Sequence, residues 1–141
     1  MKKFEAESLS VIFGSEHFKY GGIPSDVVVK IVQTQIVVDP IAEELKEAKK
    51  KIVDKFKSDR LIQLSRLADS NELKPGDNDY QEYITLDHEF AANANKVLEP
   101  IANEEVQGTL PSFTSDDFEA ICKVNEFTGG IPKLLYTLLV K

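Results

Sequence analysis

Residues 25–57, SDVVVKIVQTQIVVDPIAEELKEAKKKIVDKFK, decide how this chain is to be folded. The first half is apolar almost throughout: Val27, Val28, Val29, Ile31, Val32, Ile36, Val37 and Val38 crowd into twelve residues. Their β-branched content suits a strand. The opening Ser25-Asp26 suits a helix, with Ser25 as N-cap and a carboxylate where the helix dipole favours one. The second half is plainly helical, because Ile41, Leu45, Ala48, Ile52 and Phe56 recur at spacings of three and four. Helix is therefore expected from 26 onward. Val28, Ile31, Val32, Gln35 and Val38 are assigned to one face, with Val29 and Ile36 on its flank. Pro40 removes a backbone donor and disfavours helical geometry at Asp39, so a kink or break is expected there. The charged half beyond it, including Lys49-Lys50-Lys51, reads as a solvated helix face.

Working outward, residues 3–13 read as a short helix ended by Gly14, and 15–23 as a loop broken by Gly21-Gly22 and Pro24. His17, Phe18 and Tyr20 are expected to fold that loop back onto the core. Ser58-Asp59 start or continue a helix with Leu61, Leu64 and Leu67 inward. Residues 69–79, DSNELKPGDND, read as a flexible linker. Tyr80–Thr85 has the content of a short strand, and a helix is expected from Leu86 through Phe90, Ala94, Val97 and Ile101. Residues 105–113 read as extended and are the expected partner of that strand. Thr114-Ser115-Asp116-Asp117 starts another helix, Thr128-Gly129-Gly130 stops it, and Pro132 opens a leucine-rich last one. A short echo links VVDPIAEE at 37–44 with VLEPIANE at 97–104, predicting two helices that each bend or end at an acidic-Pro step. The expected fold is mainly α, a bundle of about five helices in a single domain over 1–141. It has a Pro-interrupted long helix and room for one short two-stranded β-ribbon.

Composition narrows the function. The 141 residues are 42% hydrophobic, enough for a core, and carry a net charge of −7. Nucleic-acid backbones are bound by cations that displace counterions, so no nucleic-acid partner is expected. The single cysteine, Cys122, gives neither a disulfide framework nor a Cys-based zinc site. The N-terminus has acids where a signal peptide needs apolar residues, and the apolar run at 27–38 is too short to span a bilayer. A cytoplasmic protein without membrane contact is expected. Asp77 and Asp79 fail the calcium-loop pattern, with Glu82 and His88 at the positions that need Gly and Glu. Asp87-His88-Glu89 are consecutive on a helix, so they point apart and form no triad. Phosphate-cradling and metal-ligand motifs are absent from the sequence. No cofactor, no metal and no catalytic residue is assigned, and a non-enzyme is expected. A small acidic inhibitor or other adaptor, or a hydrolase working through carboxylates, are the alternatives.

The layout of the chain adds one likeness. A short first element, the long helix ending in KKKIVDKFK, a polar linker, a second helix, then EEVQGTLPSFTSDDFE and a leucine-rich end resemble small acidic proteins of tailed-phage morphogenesis clusters. The closest in character are the tail assembly chaperones that accompany the tape measure protein of long-tailed phages infecting Gram-positive bacteria. The likeness spans most of the chain in layout and transfers no site residue. It implies a non-catalytic, mainly helical protein that binds the long apolar tape measure in the host cytoplasm and forms a homo-oligomer. The apolar residues chosen for a groove receiving a partner helix are Val28, Ile31, Val32, Val38, Leu135 and Leu138.

Overall fold

The computed structural model describes residues 1–141 and contains six helices: α1 Lys3–Gly14, α2 Ser25–Phe56, α3 Asp59–Asp69, α4 Asn78–Ala102, α5 Ser115–Val124 and α6 Ile131–Leu139. Mainly helical architecture is thus as expected. β structure is limited to two isolated bridges, Lys2 with Glu105 and Phe113 with Val140. The β-ribbon expected from Tyr80–Thr85 and 105–113 does not form, because Tyr80–Thr85 lies inside α4. Residues 105–113 are non-helical, and their partners are the chain ends. The Val106 N–H donates to the Met1 carbonyl at 2.8 Å, and the Phe113 N–H to the Leu139 carbonyl at 3.2 Å.

The chain separates into two compact units. One is Met1–Leu45 with Asn103–Lys141, and the other is Lys46–Ala102.

The first unit holds a single buried cluster, to which α1 gives Ala6, Leu9 and Phe13 and α2 gives Val27, Ile31 and Val38. Ile121, Leu135, Leu138 and Leu139 complete it from α5 and α6, and Phe113 from the segment between. Each fully buried Leu, Ile or Phe is worth about 1.5–3 kcal/mol relative to exposure. The 15–23 loop folds onto this core as its aromatics suggest. Phe18 stands edge-on to Phe13 at 5.4 Å and to Tyr20 at 4.7 Å, and the Tyr20 hydroxyl donates to the Phe13 carbonyl at 2.9 Å. Gly22 is required there: at φ +92° a Cβ would stand 2.9 Å from Val124 Cγ1.

Two details of α2 differ from the sequence reading. The Pro24 carbonyl accepts the Val27 and Val28 N–H groups, both at 3.0 Å, so Pro24 takes the cap position and Ser25 is the first helical residue. And α2 runs through Pro40 without a break. Pro40 and Ile36, whose carbonyl loses its intrahelical donor, are both exposed, so water reaches the orphaned group. At the echo, α4 passes through Pro100 but ends two residues later at Ala102, near the expected step, and Pro100 and Lys96 are again exposed.

The second unit comprises the rest of α2, with α3 and α4. Ser58 caps α3, its hydroxyl accepting the Leu61 N–H at 3.1 Å, so α3 is a separate helix. Ile52, Leu61 and Leu64 are buried here, whereas α4 contributes no fully buried residue. The Arg60 guanidinium joins α3 to α4 through Glu82, at 2.9 and 3.0 Å, and Asp79, at 3.0 Å. The turn between α3 and α4 places Asn71 and Gly76 at positive φ.

Candidate protein-binding surface

In the first unit α2 is apolar on two opposite sides. Val27, Ile31, Thr34, Val38 and Leu45 point inward and are buried, and the Thr34 hydroxyl is satisfied within the helix by the Lys30 carbonyl at 2.8 Å. Val29, Val32 and Ile36 point outward and are 53%, 45% and 69% exposed. Their spacings of three and four put them on one stripe. The exposed residues around it are Ser25, Gln33 and Pro40, with the acids Asp26, Asp39 and Glu43. Lys30, the cation nearest in sequence, is turned inward to the Asp117 carboxylate. The face is therefore apolar along its centre and acidic at both ends.

The residues chosen from sequence divide sharply. Ile31, Val38 and Leu135 are fully buried, Leu138 nearly so, and Val28 packs against the same cluster. The Val27–Val38 stretch and the last helix do not form an open groove; they fill each other's space inside the core. Val32 is the one chosen residue at the surface. Val29 and Ile36, assigned to a flank, lie with it on the outward stripe. An apolar arc wider than the ~100° that a core-facing helix needs was the signal that pointed to a second face.

Other groups of interest have structural explanations. A cavity of about 310 Å³ in the first unit is lined by Val11, Phe18, Phe127 and Ile131. Its buried Asn125 amide is fully used, donating to the Lys19 and Ile121 carbonyls and accepting the Lys19 N–H. His17 and the Asp87-His88-Glu89 run are exposed. Burial pushes the Cys122 thiol above its ordinary pKa, away from reactive thiolate. No helix is long and apolar enough to cross a membrane.

Compared with known protein families, with characterised proteins and with solved structures, the chain matches none.

Proposed function

We propose that this protein is a non-catalytic adaptor that binds an apolar helical segment of a larger protein, and that Val29, Val32 and Ile36 are where it binds. The observation that carries this reading is the exposed stripe on a helix whose other side already fills the core. Side chains at i, i+3 and i+7 are the contacts by which one helix receives another. Asp26, Asp39 and Glu43 favour a partner helix whose apolar residues are flanked by Lys or Arg, since complementary charge speeds encounter and rejects wrong partners. The layout shared with tail assembly chaperones supports a tape measure protein as that partner, in the host cytoplasm.

The test is titration of the folded protein with helical peptides cut from a phage tape measure protein, chosen so that their apolar residues are flanked by Lys or Arg. Ile36→Glu is expected to weaken binding at least about tenfold, as a carboxylate enters an apolar contact. Far-UV circular dichroism of that variant should not change. Val11→Glu, equally exposed but on α1, should bind normally. Binding that survives Ile36→Glu, or a folded protein that ignores every such segment, would refute the proposal. A charge at Leu138 is unsuitable for this test because it would break the core.

A further inference from the structure

A second apolar surface is open in the Lys46–Ala102 unit. Here a cavity of about 230 Å³ lies between the last turns of α2 and the end of α4. Its walls are Ala48, Ile52, Phe56, Val97 and Ile101, and its only charged residues are Lys51 and Lys55. The Lys55 ammonium sits 5.2 Å over the Phe56 ring, leaving the edge of the groove cationic.

We infer that the α2 stripe of one chain docks in this groove of a second copy. The two surfaces match in shape class, a ridge of branched aliphatic side chains against a groove, and they are opposite in charge. Asp26, Asp39 and Glu43 flank the ridge, whereas the charged residues lining the groove are Lys51 and Lys55, with the acids Glu47 and Asp54 outside that lining. The other self-pairings set like charges together. Two stripes packed antiparallel, with Val29 against Ile36, bring Asp26 against Asp39; packed parallel, they bring Asp26 against its own copy. Two grooves bring lysines together. Like-charge juxtaposition costs several kcal/mol across an interface, which leaves stripe-in-groove as the favoured pairing.

Such a contact is heterologous. Each chain in a pair keeps one free stripe or groove, so association continues beyond the dimer or closes into a ring. Three apolar side chains cover far less than the roughly 800 Å² per partner of a standard stable interface. Association is therefore weak, and ion pairs at its rim make it salt-sensitive. Self-association of this kind does not depend on the helical partner proposed above. A partner helix would compete for the stripe, but the copies associate whether or not such a partner exists.

Sedimentation of the full chain from micromolar to millimolar concentration tests it. The weight-average mass should rise past that of a dimer, with association about tenfold weaker in half-molar salt than at low ionic strength. Ile36→Glu removes the stripe and the double change Lys51→Glu, Lys55→Glu reverses the groove. All three positions are exposed, and each variant alone should be a folded monomer. An equimolar mixture of the two variants keeps one intact stripe and one intact groove, so it should give dimers and nothing larger. A wild-type monomer at every concentration, oligomers that persist in the lysine variant, or a mixture that stays monomeric would each overturn the inference. Failure to bind a helical partner would leave these results unchanged, which separates the two ideas.

Discussion

Asp117 shows how one residue can make three bonds to two neighbours. Its carboxylate accepts the Thr114 N–H at 2.9 Å, its own N–H donates to the Thr114 hydroxyl at 3.1 Å, and it pairs with the Lys30 ammonium. The first two bonds form the capping box of α5, and the third ties α5 to α2 within the core of the first unit. Thr114–Asp117 as a helix start was legible in the sequence, since a cap needs only its local residues. The Lys30 partner was not, because 87 residues separate the pair. Lys30 and the Thr114 N–H hold the Asp117 carboxyl below its ordinary pKa of 3.8. A depressed folded pKa means the stabilisation is fully present above that ordinary value and is lost as pH falls below it, towards the folded pKa. Asp117→Asn is therefore expected to cost about 1–2 kcal/mol at neutral pH. The gap from wild type should shrink as pH falls below 3.8, as urea denaturation across the acid range would show.

Among the helices, Pro40 and Pro100 carry the main lesson. Proline in a helix interior costs about 3 kcal/mol, through the lost hydrogen bond and the clash of its ring with the carbonyl four residues before, and a buried orphan carbonyl adds to that. Here each proline and the residue four before it are exposed, so the helix tolerates both. Whether a proline ends a helix depends on which side it occupies, and that is known only once the core is placed. Pro40→Ala should restore the donor to the Ile36 carbonyl and stabilise the protein by about 1–3 kcal/mol. A higher denaturation midpoint with unchanged slope is the expected measurement. The Tyr80–Thr85 stretch makes the same point for propensity. Its aromatic and β-branched residues suit a strand, but with Phe90 and Leu98 it presents Tyr83 and Leu86 as half-buried points at helical spacing. Packing against α3 then overrides the local preference.

Across the molecule, burial is uneven. In the first unit α1 buries Ala6, Leu9 and Phe13, whereas α4, more than twice as long at 25 residues, buries none completely. Local opening is easiest where few apolar contacts must be broken. Backbone amides of α4 should therefore exchange with deuterium at least about tenfold faster than those of α2 between Ile31 and Val38. Exchange read by mass spectrometry, with peptides covering both segments, checks this. Equal protection would mean that α4 is held by more than the half-buried contacts of its own unit.

Helix outside Tyr80–Thr85, the caps at Ser58 and Thr114 and the inward positions Leu45, Ile52, Leu61 and Leu64 come from local chemistry and clear periodicity, and the chain alone determines them. The end of α5 is different: it falls at Val124, ahead of the stop expected at Thr128-Gly129-Gly130. The orientation of residues 25–38 does not, because a segment apolar on nearly every side offers no periodicity to choose a face. Neighbours made that choice. Phe13, Phe113, Ile121 and Leu135 join Ile31 and Val38 in one cluster, and Val29, Val32 and Ile36 were left facing water. The surface from which function is argued is thus the side of the helix that the core did not need.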